Sequence, residues 1–188
     1  KPKTCGFSAF TPKAEKRYRR GNEVCMKNYV ISILVENHAG VLSRVSGLFS
    51  RRGYNIDSLT VCATENPEQS RMTIVVKGDE YILDQIEKQL AKLVEVISIQ
   101  HCDPAKTCER EMALIKVKAG AENRAAIIGT CDIFRAHIVD VSTGSVIIEA
   151  TGSEDKIASL IALLEPYGIL EFAKTGLNAM GRGEDVLK

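Results

Sequence analysis

The chain has 188 residues, of which 45% are hydrophobic and 26% are charged, and its formal net charge is +1. This composition is typical of a soluble globular protein with one domain or two small ones, and the near-neutral charge gives no reason to expect nucleic acid or a membrane as partner. Aromatic residues are scarce at 5%, which argues against a base-stacking surface, and no apolar run approaches the ~18 residues of a membrane-spanning helix.

Residues 1–27 are predicted to form a basic leader without regular structure. Glu15 is the only acidic residue among the first 20, and the chain starts with lysine instead of methionine. Three interpretations stay open: a disordered leader with added residues, the remnant of an organelle transit peptide, or a basic docking arm.

Six cysteines lie at positions 5, 25, 62, 102, 108 and 131. Their spacing forms no disulfide framework, so reduced thiols in a reducing compartment are expected. Cys62 and Cys131 lie in apolar segments and are predicted to be small buried residues. His101, Cys102 and Cys108 match no zinc-binding spacing, so no metal site is predicted.

The first half of the chain alternates strands with helices. Strands are predicted over residues 29–36, 55–64, 71–77 and 94–102, and helices over 41–52 and 80–93. The first helix has the 3.6-residue apolar period of one buried face and ends at Gly53. The order is βαββαβ, a split ferredoxin-like pattern with two helices on one face of an antiparallel sheet.

The same order returns in the second half. Strands are predicted over residues 112–118, 137–141, 146–151 and 169–175, and helices over 123–134 and 155–165. The fold class is therefore α+β, with two tandem βαββαβ domains over residues 28–103 and 111–177. Residues 104–110 are predicted to be a linker, and residues 178–188 a mobile tail.

The turn after the first strand carries the candidate site. A strand that leads through Gly40 into a helix presents free backbone amides and a positive dipole end, which suits a small carboxylate. Asn37 and Asn55 place side-chain amides at the ends of these elements. Nothing near them resembles a nucleophile or an acid–base pair, so the site is predicted to bind a small molecule without transforming it.

Several segments carry a family resemblance. The first half contains VENHAGVLSRVSGLFSRRGYNIDSLTV, SRMTIVVKGDE and QIEKQLAKLVEV, and the second contains EREMALIKVKA, IFRAHIVDVS and LLEPYGILEFAKTG. Over residues 28–183 the chain resembles the small, regulatory subunit of acetolactate (acetohydroxyacid) synthase, whose first domain is an ACT domain. The last segment looks closest to the plant, algal and cyanobacterial branch.

The resemblance implies a protein that is not an enzyme by itself. The family's catalytic subunit, with thiamine diphosphate, Mg²⁺ and FAD, condenses two 2-oxo acids on the route to valine, leucine and isoleucine. The small subunit, with no cofactor of its own, activates it and confers feedback inhibition by valine, in some members also by leucine or isoleucine. Small subunits pair as homodimers through their ACT domains, with the effector between them. A plastid stroma and a bacterial cytoplasm both fit.

The resemblance also implies the effector-binding residues. Asn37 and Gly40 match the loop that holds the amino acid, and Asn55 of the partner chain matches the amide that closes the site. The same loop is lined by His38, Ala39, Val41 and Leu42. His38 departs from the family pattern, where a small or acidic residue is common, and a histidine there would make binding pH-dependent unless it is simply exposed.

Structural alternatives stand beside these assignments. Gly40 and Gly53 are also explained as turn glycines, Asn37 as a helix cap and Asn55 as a turn residue. Arg44, Arg51 and Arg52 are explained as solvated helix residues or as partner contacts. The alternative function is a free-standing ACT regulator of another enzyme or of transcription, but the basic run at residues 13–20 lacks the helix pair of a DNA-binding motif.

Overall fold

A computed structural model describes residues 17–19, 22–24, 27–184 and 186–188 of the chain. Within the predicted leader, β1 (Arg17–Arg19) and β2 (Asn22–Val24) pair antiparallel. The expectation of no regular structure over residues 1–27 is therefore wrong for these two short strands and for Lys27, which opens the next strand. The rest of the leader, with Cys5 and Cys25, lies outside the described residues.

The first unit contains six elements in the predicted order. They are β3 (Lys27–Glu36), α1 (Val41–Arg52), β4 (Ile56–Ala63), β5 (Gln69–Gly78), α2 (Glu80–Leu90) and β6 (Val96–Cys102). The four strands form an antiparallel sheet in the order β4-β5-β3-β6, which leaves β4 and β6 at its edges.

Local sequence explains the two helices of this unit. The apolar face of α1 is buried through Val41, Val45, Leu48 and Phe49, and α1 ends at Gly53 with φ 68°, in the left-handed region that favours glycine. The carboxylate of Asp79 accepts from the amide of Ile82 at 2.8 Å and caps α2. Both helices pack on the same face of the sheet and form one core with it.

The second unit repeats this arrangement. It contains β7 (Thr107–Lys118), α3 (Arg124–Phe134), β8 (His137–Val141), β9 (Ser145–Gly152), α4 (Glu154–Leu164), a 3₁₀ turn (Glu165–Tyr167) and β10 (Ile169–Lys174). Its strand order, β10-β7-β9-β8, is the same topology as in the first unit. The prediction of two tandem ferredoxin-like βαββαβ domains is confirmed.

Two segments differ from the sequence prediction. The predicted linker, residues 104–110, is shorter, because β7 already begins at Thr107. The predicted tail, residues 178–188, contains β11 (Asn178–Gly181), which pairs antiparallel with Thr107–Arg110. Neither segment has a strong apolar period, and each becomes a strand only because the other lies beside it, so no local pattern predicts the pair.

The cysteines follow the sheet positions. Cys102 and Cys131 are buried, as predicted for Cys131, but Cys62 is exposed because β4 is an edge strand. The four cysteines of the described residues are free thiols.

In that same part of the chain, His, Cys, Asp and Glu side chains form no group of three or more that could hold a metal ion. None of the described helices is long and apolar enough to cross a membrane.

We expect the protein to lose less unfolding free energy when Glu111 is substituted than when Lys174, its ion-pair partner, is substituted. The Lys174 ammonium lies 3.0 Å from the carboxylate of Glu111, whose side chain is 5% exposed against 34% for Lys174. Lys174→Met leaves a buried charge unpaired and should cost about 2–4 kcal/mol of unfolding free energy. Glu111→Gln leaves a lysine that can reach water and should cost less. Urea unfolding measures both, and an equal loss would contradict this interpretation.

A second stability prediction concerns Glu109 on β7. One of its carboxylate oxygens is buried without a hydrogen-bond partner. Burial, with a smaller effect from the charge of Glu154, raises the pKa of Glu109 above its ordinary value of 4.5. The folded state therefore holds the proton more tightly than the unfolded state, and stability falls as pH rises from 4.5 through the raised pKa.

Glu109→Gln should remove this loss. The variant should melt at a higher temperature than the wild type at pH 7, and the gap should close below about pH 4. Melting curves across about pH 3 to 8 test this, with Glu154→Gln expected to give a smaller gain of the same sign. A gap that persists unchanged at the acid end would mean that the carboxylate is not responsible.

Candidate functional site

The candidate site begins where β3 leaves the core. Burial along this strand ends at Val35, and residues 36–40 are exposed. The backbone amide of Asn37 donates to the carbonyl of Glu68 and its side-chain amide donates to the carbonyl of Pro67, both at 2.7 Å. Loop 37–40 is thus anchored on the turn between β4 and β5 while it remains open to solvent.

Gly40 brings the loop into α1 without a side-chain cap. It is the N-cap residue, with φ 93° and ψ −18°, no side chain caps the helix, and no acidic residue lies in its first turn. The first amides of a helix lack partners inside the helix and carry the positive end of its dipole, so this end can bind a carboxylate. The interpretation of Asn37 as the cap of α1 is wrong, because Gly40 holds the N-cap position and no side chain accepts from the first amides of the helix.

The other loop residues offer different faces to a ligand. Val41 is 2% exposed and belongs to the core, so it can contribute only backbone, whereas Leu42 is 44% exposed. Ala39 is exposed. His38 is exposed, with Nε2 3.0 Å from the carboxylate of Glu36 and Nδ1 3.1 Å from the carbonyl of Ala39.

Asn55 lies at the opposite end of α1 from the loop. The helix has 12 residues, about 18 Å at 1.5 Å per residue, so one chain does not bring Asn55 and Gly40 together. The Asn55 amide donates to the carboxylate of Asp57, which leaves its carbonyl oxygen as an acceptor. If both residues bind one small molecule, Asn55 must come from a second chain.

One buried acid beside the loop was missed in the sequence. Glu95 is 6% exposed, its carboxylate accepts from the guanidinium of Arg44 on α1, and its carbonyl accepts from the amide of Glu36 at 2.9 Å. Glu95 falls within the predicted strand 94–102, whereas β6 begins only at Val96. The sequence signal that could have indicated its special position is a charged residue inside the apolar run LVEVISI. The arginine is thereby a structural partner of Glu95 as well as an exposed helix residue.

The corresponding turn of the second unit has a different design. Arg124 begins α3, and one guanidinium nitrogen donates to the carbonyls of Ala119, Ser142 and Thr143 at 2.7–3.1 Å. This arginine ties the β7–α3 turn to the β8–β9 loop. In the second unit, protein groups therefore fill the turn that remains open in the first unit.

The fold and the open glycine loop define the first unit as a regulatory domain of the ACT class. Residues 31–98 match the family described as the AHAS small subunit-like ACT domain. Residues 110–183 match the family described as the small subunit of acetolactate synthase. The chain belongs to the acetolactate synthase small-subunit family.

Relatives support this assignment over most of the chain. The probable acetolactate synthase small subunit of Archaeoglobus fulgidus is 53% identical over 155 residues, which cover 82% of this chain and 97% of that protein. The acetolactate synthase small subunit of Mycolicibacterium smegmatis is 52% identical, with 82% and 91% covered. The crystal structure of the small subunit from Thermotoga maritima superposes with a TM-score of 0.80 at 45% identity, with 85% and 99% covered.

Gly40→Ala and Gly53→Ala should both destabilise the protein through backbone strain alone. Each glycine has a positive φ, and a Cβ at either position would meet nothing within 4 Å. We expect each substitution to cost about 1–2 kcal/mol of unfolding free energy. Urea unfolding measures both, with Gly47→Ala as control, because Gly47 lies inside α1 with open space and no positive φ. A neutral Gly40→Ala would show that the loop relaxes to another conformation.

Proposed function

We propose that this chain is the regulatory subunit that activates the catalytic subunit of acetolactate synthase and makes it sensitive to a branched-chain amino acid, valine foremost. The observation that carries the proposal is the uncapped start of α1 behind the exposed loop 37–40. The family assignment indicates which enzyme the chain would regulate, and the loop offers a binding site for the effector. The loop side chains are an amide, small or aliphatic groups and one imidazole, which suit binding better than catalysis.

Each part of an amino acid has a partner in this arrangement. The carboxylate would accept from the amides around Gly40 and Leu42 at the positive end of α1. The ammonium would donate to the side-chain carbonyls of Asn37 and Asn55, because the NH₂ groups of both amides already donate within the protein. Ala39 and the exposed part of Leu42 would contact the aliphatic side chain. One methylene changes affinity by about 1–3 kcal/mol at most, so leucine and isoleucine stay as weaker candidates.

Pairing of two chains completes the site. Asn55 immediately precedes β4, an edge strand whose outer side pairs with no strand of the residues that the structure describes. Val61 on this strand is 40% exposed. A homodimer formed through the first units would bring Asn55 of one chain toward loop 37–40 of its partner, and an effector bound there would bridge the two chains.

The chemistry belongs to the partner. The catalytic subunit would carry thiamine diphosphate, Mg²⁺ and FAD and join two 2-oxo acids, while this chain would contribute no reacting group. The effector would act at a distance by changing how the two first units rotate against each other, and a coupling of about 1–3 kcal/mol suffices for clear feedback. The expected compartment is a plastid stroma or a bacterial cytoplasm.

The test is calorimetric titration of the purified chain with valine, leucine and isoleucine. We expect saturable binding with valine tightest, and a loss of at least about tenfold in affinity for Asn37→Ala, because the ammonium loses an acceptor. Asn66→Ala is the matched control. Asn66 accepts from the amide of Glu68 and shapes the same turn that anchors Asn37, but it lies outside the loop. Equal losses in both variants would mean that Asn37 acts only through the turn.

Reconstitution with the catalytic subunit tests the remaining part. The chain alone should form no acetolactate, its addition should raise the rate of the catalytic subunit, and valine should lower that rate in the wild type but not in Asn37→Ala. If no branched-chain amino acid binds the chain alone, the titration is repeated on the reconstituted complex. Failure there, together with no inhibition, would overturn the feedback role and leave activation alone.

A further inference from the structure

The segment of residues 175–181, here called the strap, connects the two units by more than the covalent chain. It leaves β10 and continues as β11 along the first residues of β7. On its way it crosses the face of the first sheet that is opposite to the helices. There Leu177 and Ala179 pack against Val30, Val75 and Cys102.

The strap lies directly on β4. The amide of Leu177 donates to the hydroxyl of Ser58 at 3.1 Å. A Cβ at Gly176 would lie 2.9 Å from the carbonyl oxygen of Leu59 and 2.4 Å from the hydroxyl oxygen of Thr60. Because one of these atoms belongs to the backbone, a side chain at position 176 can fit only if the strap or β4 moves. Glycine is therefore required by close approach, and not by a positive φ.

A second contact fixes the strap farther along. The guanidinium of Arg71 on β5 donates to the carbonyl of Ala179 at 2.8 Å. The strap is thus held at two points, on the edge strand and on its neighbour. The first of these contacts, Ser58, follows Asn55 closely in the chain, so a shift of the strand at Ser58 also moves Asn55.

We propose that Ser58 and Gly176 are positioning residues, through which the second unit holds β4 in the arrangement that lets Asn55 close the effector site. This inference rests on the proposed function. It gives the second unit a defined role, because the strap sets the affinity of a site whose proposed ligands all lie in the first unit. Since coupling between two sites is reciprocal, an effector bound at Asn55 must in turn tighten the strap.

The experiment combines Gly176→Ala with a matched control, Gly129→Ala. Gly129 lies in α3 of the second unit, where a Cβ meets nothing within 4 Å. We expect Gly176→Ala to weaken valine binding by about 5- to 20-fold in calorimetry, within the usual range of coupling between sites. Gly129→Ala should leave the affinity unchanged. Ser58→Ala removes only the acceptor of the Leu177 amide and should weaken binding in the same direction by a smaller factor.

Hydrogen exchange separates positioning from a general loss of structure. In the wild type, valine should slow exchange of the amides of residues 177–181, although they lie outside the loop. In Gly176→Ala this slowing should be reduced, while the amides of α2 and α4 remain as protected as in the wild type. If the variant exchanges faster throughout, Ser58→Ala alone decides the question.

The outcomes distinguish the two proposals. If the wild type binds no branched-chain amino acid, either alone or in the reconstituted complex, the proposed effector function fails. If the wild type binds valine, but Gly176→Ala and Ser58→Ala bind it equally well and valine leaves the strap amides unchanged, the positioning role is wrong and the effector function stands.

Discussion

The structure depends on the requirement that both faces of a half-buried sheet find a partner. In each unit two helices cover one face, and the core is concentrated there. The opposite face of the first sheet contains Ser32 and Thr73 beside Val30 and Val75, and all four are buried. The strap supplies part of this cover. Because this face contains both polar and apolar side chains, hydrogen bonds at Ser58 and Arg71 hold the strap together with apolar contacts. The strap therefore stays bound only while its residues are in register with these partners.

The same topology has different roles in the two units. In the first unit the turn before α1 is exposed, its N-cap is a glycine, and no side chain caps the helix. In the second unit Arg124 fills the equivalent turn with hydrogen bonds to three carbonyls. A βαββαβ fold therefore does not by itself create a binding site. The site arises where the turn is left open and the helix start is left without a side-chain cap.

The edge strand β4 is where the proposed parts of the mechanism meet. Asn55 immediately precedes it, its outer edge pairs with no other described strand, and the strap lies on it at Ser58. A strand at a sheet edge is held on one side only, so it can shift at a lower cost than a central strand. If β4 shifts, its contacts with the effector, with a second chain and with the strap change together. Coupling between effector, dimer and second unit requires this property.

Much of this was determined by the sequence alone. The apolar period of α1, its stop at Gly53 and the buried run of β3 are local signals, and they predicted the elements, their order and the fold class. Segments in both halves of the chain predicted the family. The candidate turn with Asn37 and Gly40 followed from a strand, a glycine and a helix start in succession, because the chemistry of a helix end is local. The family resemblance added His38 and Ala39. Their role as effector ligands stays a prediction.

Tertiary structure decided what depends on distant neighbours. The pairing of β11 with the start of β7, the fit of Gly176 on Leu59 and the burial of Glu95 beneath Arg44 each join residues that lie far apart in sequence. The exposure of Cys62 follows from the position of β4 at the sheet edge. Sequence periodicity indicates on which face of its own helix or strand a residue lies. These contacts depend instead on which elements lie side by side, and that is set only when the whole chain has packed.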